Sequence, residues 1–192
     1  WNLPSTVKTW PSGCKGGTYD LVRATSSSNN CAFVRLQAAV GGDEVVDVAQ
    51  RLGISTLDED AGKIPSLTLG SASVRPLEMA AAYAAIANDG RYNAPHFVTK
   101  VEDRDGNVLY EFQPTEERVI SSEVARQATV ALQAVVSGGT YKGGSLPDGR
   151  PAAGKTGTNE LDDGGNADVW FVGFTPQMAT AVWIGNPAGS ID

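Results

Sequence analysis

The types and the spacing of Lys155 and the residues around it suggest chemistry. The stretch Gly149–Thr156, GRPAAGKT, spells the P-loop pattern of nucleotide-binding proteins. A P-loop needs an apolar strand before its first glycine and a helix that starts at the Lys-Thr pair, so that helix N–H groups point at phosphate. Here KGGSLPD precedes the pattern and NELDDGGNAD follows it, and neither suits the required element. A nucleotide site is therefore kept only as an outside alternative.

The same letters have a second interpretation, as a strand beside a cleft. In Lys155-Thr-Gly-Thr158 the lysine supplies a positive charge, and Gly157 lets a ligand approach the backbone because no Cβ is in the way. Thr158 offers a hydroxyl and a backbone N–H. Such a strand edge suits a carboxylate and a carbonyl oxygen together. An ordinary turn lysine is the plainer alternative, and three letters alone do not decide between them.

A second candidate cluster lies far upstream, in Ser26-Ser27-Ser28-Asn29-Asn30. It contains Ser-x-Asn in two registers, Ser28 with Asn30 and Ser27 with Asn29. Serine and asparagine side chains also cap helix N-termini, and the apolar stretch CAFVRLQAAV follows directly. A plain helix cap is therefore the alternative to a site.

The elements that would position these residues are helical first and strand-like last. Residues 1–25 are expected to be irregular, and a hairpin is expected near 97–112 with its turn at Asp105-Gly106. PAAGKTGTNE, DVWFVGFTP and MATAVWIGNP are expected to form three antiparallel strands over about 150–187. The predicted helices run from near Asn30 to Gly41, from an Asp43 cap to Gly53, from Pro76 towards Gly90, and from a Ser121 or Ser122 cap to about Val136. The pattern predicts an α+β fold, with an antiparallel sheet packed against helices and a mainly helical part over about 25–140.

Composition narrows the classes of function. The chain has 192 residues, a formal net charge of -7 and a hydrophobic content of 41%, which favours a folded domain and disfavours a nucleic-acid partner. One histidine, His96, and two distant cysteines make a metal site improbable on spacing. A disulfide between Cys14 and Cys31 is expected only if the protein is exported, and two free thiols are the alternative.

Together, the motifs resemble the transpeptidase domain of penicillin-binding proteins, most closely the bifunctional class A type. The resemblance rests on Ser28-x-Asn30, on Lys155-Thr-Gly-Thr158, and on SLTLGSASVRPLEMAAAYAAIANDGRY, GGTYKGG, DVWFVGFTP and AVWIGNP, and it runs from about Thr25 to Pro187. It implies the β-lactamase/transpeptidase-like fold and a D,D-transpeptidase that cross-links peptidoglycan stem peptides through an acyl-serine intermediate. β-Lactams would acylate the same serine, and no metal or organic cofactor is needed. A non-catalytic sensor of wall peptides or β-lactams, and a hydrolase of the D,D-carboxypeptidase or β-lactamase type, are the alternatives.

The resemblance also implies roles for individual residues. Ser28 would move protons between the catalytic lysine and the leaving amine, and Asn30 would bind substrate and orient that lysine. The Ser28/Asn30 register is preferred because the family's asparagine is commonly followed by an apolar-x-apolar pair, here Val34-x-Leu36. Lys155 would supply positive potential to the cleft. The expected substrate-binding residues are Thr156, Gly157 and Thr158, and the Thr158 N–H would be one arm of an oxyanion hole.

The nucleophile is expected to lie outside this chain. Ser5-Thr6-Val7-Lys8 matches the family's Ser-x-x-Lys motif by spelling. TWPSGCKGG follows, however, and its proline and glycines cannot continue the long helix that the motif opens. We therefore expect a domain truncated at both ends, without its Ser-x-x-Lys segment and final helix. It would be inactive without the remaining segments of the domain. The full-length protein that contains this chain, called the parent below, is expected to be membrane-anchored, with this domain on the outer face of the cytoplasmic membrane.

Overall fold

The computed structural model describes residues 18–141, 143, 146–160 and 166–187. The α-helices in this part of the chain are α1 (Leu21–Ser26), α2 (Asn30–Val40), α3 (Gly42–Arg51), α4 (Pro76–Ala87) and α5 (Ser122–Gly138). The strands are β1 (Arg91–Tyr92), β2 (Lys100–Glu102), β3 (Val108–Glu111), β4 (Glu117–Arg118), β5 (Ala153–Glu160), β6 (Asn166–Thr175) and β7 (Met178–Gly185). Single 3-10 turns occur at Ala61–Lys63 and Leu67–Leu69.

The largest described sheet is antiparallel, in the order β5-β6-β7. Strand β5 lies at its edge, so one side of β5 carries backbone groups that no strand of this sheet pairs. Helices α4 and α5 pack against the sheet, where Leu132, Ala153 and Phe174 form a buried cluster with Tyr83 at its margin. Desolvation in this cluster raises the pKa of Tyr83 to about 12. The expected α+β class, with helices on an antiparallel sheet, is confirmed.

A second core stabilises the helical part. It is built from buried residues of α3, α4, the 3-10 turns and the loop that follows α3: Val46, Ile54, Leu57, Ala61, Leu67 and Ala82. Gln37 of α2 is buried beside it and makes two hydrogen bonds, donating from Nε2 to the carbonyl of Ile64 and accepting at Oε1 from the N–H of Thr68, each 2.9 Å long. This one side chain therefore fixes α2 against the segment that carries the 3-10 turns.

Several predicted boundaries shift. All but the last residue of helix α1 lie in the region expected to be irregular, and Asp20 caps this helix by accepting a hydrogen bond from the N–H of Arg23 at 2.7 Å. Helix α3 is capped at Gly41 and not at Asp43, which lies in its first turn. There the backbone passes so close to the next segment that a Cβ on Gly42 would lie 1.8 Å from the carbonyl oxygen of Gly62. The predictions missed both features because they depend on one cap and on one close approach between segments.

The remaining predicted elements match the structure more closely. Helix α4 has Pro76 at its start, and Ser121 caps α5 by accepting from the N–H of Val124. Strands β2 and β3 form the hairpin whose turn contains Gly106 at a φ of 83°. The two-residue pairing of β1 with β4 was not predicted, because each segment is too short to show a pattern.

Two further observations bear on the protein's setting. Within the described ranges, no helix is long and apolar enough to cross a membrane. Cys31 is disulfide-bonded, and Cys14, the other cysteine of the sequence, lies outside the described residues.

We predict that Gln37→Leu destabilises the fold. Leucine leaves the N–H of Thr68 without its partner and removes one of the two hydrogen bonds that the Ile64 carbonyl accepts, the other coming from the N–H of Leu67, so the free energy of unfolding should fall by about 1–3 kcal/mol. Urea denaturation of the parent protein measures the change. Gln127→Leu is the matched control, because Gln127 is exposed and its side chain, among the described residues, donates to Glu123 of the same helix. An equal loss in both variants would contradict the role of Gln37.

Candidate active site

A contact between Lys155 and Ser28 joins the edge strand to the turn between α1 and α2. The Nζ atom of Lys155 donates to the Oγ of Ser28 at 2.9 Å and to the carbonyl oxygen of Thr156 at 2.9 Å. Both acceptors are neutral oxygens, and the ammonium group is half-buried. Desolvation therefore lowers the pKa of Lys155 below its ordinary value of 10.5.

The backbone at Ser28 adopts a conformation that is rare for a residue with a side chain. Its φ is 51°, in the left-handed region. Two hydrogen bonds hold this turn: the N–H of Ser28 donates to the carbonyl of Thr25 at 3.1 Å, and the N–H of Asn29 donates to the carbonyl of Ala24 at 2.9 Å. The left-handed residue ends α1 and leaves the Ser28 hydroxyl in contact with Lys155.

The alternative Ser27/Asn29 register uses its side chains locally. The hydroxyl of Ser27 donates to the carbonyl of Arg23 in α1 at 2.7 Å. Asn29 is buried and caps α2 by accepting from the N–H of Ala32 at 3.0 Å. Asn30 is the half-buried first residue of α2. The structure brings Ser28 to Lys155, but among the described contacts no hydrogen bond joins Asn30 to either of them.

Strand β5 presents the other candidate residues on alternating faces. Lys155 and Gly157 share one face, while Thr156 and Thr158 share the other. Gly157 lies opposite Trp170 in β6, and a Cβ on Gly157 would lie 3.2 Å from the Trp170 Cβ. The glycine therefore has a packing reason as well as the ligand reason predicted from the sequence. Thr158 is exposed at the edge strand, where a bound molecule can reach its backbone.

Thr140 is a residue of this site to which sequence reasoning gave no role. Its Oγ1 lies 3.0 Å from the Oγ1 of Thr156, and its N–H donates to the carbonyl of Ser26 at 3.0 Å. The preceding Gly139 allows this approach, because a Cβ there would lie 2.5 Å from the Ser26 carbonyl oxygen. The Gly-Gly-Thr letters were the available signal, but letters do not show which strand the threonine meets.

The P-loop alternative is wrong. A P-loop lysine and threonine must begin a helix, whereas Lys155 and Thr156 lie inside strand β5. The lysine is also engaged with Ser28 and with a backbone carbonyl. No helix N-terminus is present at Lys155 to receive a phosphate.

Comparison with known proteins gives one consistent result. The family model described as penicillin binding protein transpeptidase domain matches residues 2–190. The chain is 38% identical to penicillin-binding protein 1A of Mycolicibacterium smegmatis over 92% of its length, and 40% identical to penicillin-binding protein 1A of Aquifex aeolicus over 88%. It covers 24% and 22% of those two proteins, so it spans about a quarter of the relatives' length.

The fold is similar to solved structures of the same kind. The PonA1 protein of Mycobacterium tuberculosis, solved in complex with penicillin V, superposes with a TM-score of 0.81 at 34% identity. The match covers 93% of this chain and 50% of that chain. The similarity confirms the expected β-lactamase/transpeptidase-like fold. Ser5 and Lys8, the Ser-x-x-Lys letters of this sequence, lie outside the described residues.

We predict that the pKa of Lys155 stays lowered when Ser28 is replaced by alanine. Burial is the cause of the shift, and the Ser28 hydroxyl is a neutral partner, so its loss should leave the Nζ titrating below pH 10.5. NMR titration of labelled lysines in the parent protein measures it, with Lys155→Arg to identify the signal. A return to 10.5 in Ser28→Ala would show that the hydroxyl, and not desolvation, sets the pKa.

Proposed function

This chain belongs to the penicillin-binding protein transpeptidase domain family, and on that premise we propose that its parent is a serine-type D,D-transpeptidase. The parent cross-links peptidoglycan stem peptides and is acylated by β-lactams. The observation that carries the proposal is the hydrogen bond from Lys155, on the edge strand of the sheet, to Ser28. It brings a half-buried cation and a hydroxyl together beside backbone groups that can hold an extended peptide.

The proposed reaction has two acyl-transfer steps. The Oγ of the serine in a Ser-x-x-Lys motif other than Ser5-Thr6-Val7-Lys8 attacks the carbonyl carbon of the penultimate D-Ala. The peptide C–N bond breaks, and the terminal D-Ala leaves with a proton on its amine. An amine of a second stem peptide then attacks the acyl-serine ester, and the serine recovers its proton. Splitting one difficult exchange into two easier ones is the advantage of a covalent intermediate.

Ser28 is suited to the proton transfer that the first step requires. A hydroxyl has one proton to donate and two lone pairs, and here one lone pair accepts from Lys155. Ser28 can therefore donate its own proton to the leaving amine while Lys155 stabilises the oxygen that results. In this proposal Asn30, the first residue of α2 and two residues after Ser28, binds the substrate backbone. It also orients the lysine of the Ser-x-x-Lys motif.

Strand β5 is proposed to hold the substrate. The hydroxyls of Thr156 and Thr158 bind the substrate carboxylate, with the positive potential of Lys155 nearby. The backbone N–H of Thr158 is one arm of the oxyanion hole, and the N–H of the nucleophilic serine is the other. Gly157 keeps the strand surface clear. A local cation of this kind attracts an anionic group even though the chain carries a formal net charge of -7.

The partners in this proposal are stem peptides, β-lactams and the remaining segments of the same transpeptidase domain. The chemistry needs no metal or organic cofactor, and no nucleic acid takes part. The substrate's location places the domain on the outer face of the cytoplasmic membrane, with the parent membrane-anchored. The 192 residues alone should be inactive, because the nucleophile is supplied by another segment.

We predict that the intact parent forms a covalent adduct with a fluorescent penicillin. Mass spectrometry should place the label on the serine of a Ser-x-x-Lys motif other than Ser5-Thr6-Val7-Lys8, and excess unlabelled penicillin should block it; a label on Ser5 would contradict this assignment of the nucleophile. The chain of 192 residues by itself should not be labelled. No adduct on the parent would overturn both the transpeptidase and the hydrolase functions and leave a non-covalent binding module. A label on Ser28 would contradict its proton-relay role.

A second prediction separates the two Ser-x-Asn registers. Ser28→Ala in the parent should lower the acylation rate by about 100-fold or more, because it removes the proton relay. Ser27→Ala is the matched control: the Ser27 hydroxyl is exposed and bonds to the Arg23 carbonyl, so acylation should stay within about twofold of the parent. Stopped-flow measurement of penicillin acylation gives both rates, and a reversal of their order would show that the other register is the functional one.

A further inference from the structure

Thr140 links both halves of the candidate site. Its backbone N–H holds the carbonyl of Ser26, two residues before Ser28, and its hydroxyl meets the hydroxyl of Thr156, the residue after Lys155. The hydrogen bond between Ser28 and Lys155 connects the same turn and strand directly. The chain at Thr140 is thus attached on one side to the turn that carries Ser28 and on the other to the strand that carries Lys155.

The contact between the two threonine hydroxyls has two possible directions. Each hydroxyl carries one proton, so either Thr140 donates to Thr156 or Thr156 donates to Thr140. If Thr156 donates, its only proton is used within the protein. If Thr140 donates, the proton of Thr156 remains free for an acceptor in the cleft.

A bound carboxylate selects one of these directions. An ionised carboxylate only accepts hydrogen bonds, so Thr156 can bind it only with its own proton. The lone pair of Thr156 is then free to accept from Thr140, and a hydroxyl that accepts one hydrogen bond becomes a better donor in the next. The two threonines and the carboxylate then form a chain of hydrogen bonds in which Thr140 donates to Thr156 and Thr156 donates to the carboxylate.

We propose that Thr140 is a positioning residue for substrate recognition: it donates to Thr156 and so presents the Thr156 proton to the carboxylate of the substrate or β-lactam. The inference rests on the proposed function, since it needs a substrate carboxylate at Thr156. Thr140 itself does not touch the substrate in this arrangement. It acts by fixing the rotamer and the proton direction of Thr156 before the ligand arrives.

The backbone role of Thr140 makes a specific test possible. Valine has the same shape as threonine and keeps the N–H that bonds to Ser26, so Thr140→Val removes only the hydroxyl. Thr140→Ser retains the hydroxyl and should restore function. Thr129→Val is the matched control, because Thr129 lies on α5 and its hydroxyl donates within the helix to the carbonyl of Ala125.

The experiment measures acylation of the full-length parent by benzylpenicillin and by benzylpenicillin methyl ester, which lacks the ionised carboxylate. Thr140→Val should lower the second-order acylation rate constant for the acid by about tenfold and leave that for the ester within about twofold. Thr140→Ser and Thr129→Val should resemble the wild type with both compounds. In a Thr156→Val background, Thr140→Val should have no further effect, because the two hydroxyls act as one unit.

The outcomes distinguish this inference from the proposed function. A wild-type parent that is not acylated by either compound would overturn both. A wild-type parent that is acylated, together with a Thr140→Val variant that behaves like it, would overturn the role of Thr140 alone. Equal losses with the acid and the ester would also overturn it, because they would show that Thr140 supports the shape of the site and not carboxylate recognition.

Discussion

The arrangement described here depends on one long-range hydrogen bond, from the ammonium group of Lys155 to the hydroxyl of Ser28. A cation in a half-buried position is costly unless polar groups surround it, and two neutral oxygens do so here. Neither oxygen cancels its charge. The lysine is therefore held in place and still able to attract an anion, as the proposed binding of a substrate carboxylate requires.

Helix α5 packs against the helix that precedes Ser28 and against the strand that carries Lys155. It contacts α1 on one side and β5 on the other, and Leu132 packs against Ala153 at the beginning of the edge strand. The C-terminal end of α5 leads into Gly139 and Thr140, which contact Ser26 and Thr156. The relative position of the serine turn and the lysine strand is thus set by one rigid element and its C-terminal extension, and not by the site residues alone.

Sequence reasoning was most successful where the signal is local and repeated. Helices α2, α4 and α5 begin near their predicted residues because caps and apolar spacing act within one or two turns. It failed at α1, whose six residues are too few for a periodic pattern, and at the Gly41 cap of α3. It also overlooked Thr140, because the contact with Thr156 depends on how a helix end passes over a strand.

The sequence by itself determined the residue types, the order of the longer helices and strands, and the family, since short motifs in a fixed order are specific when taken together. It left open which serine and which asparagine face the cleft. Only the tertiary structure decided that Ser28 meets Lys155 while Ser27 and Asn29 are used at helix ends. The physical reason is the left-handed turn at Ser28: side chains one residue apart point in different directions, and which of them reaches the strand depends on backbone hydrogen bonds that no residue pattern records.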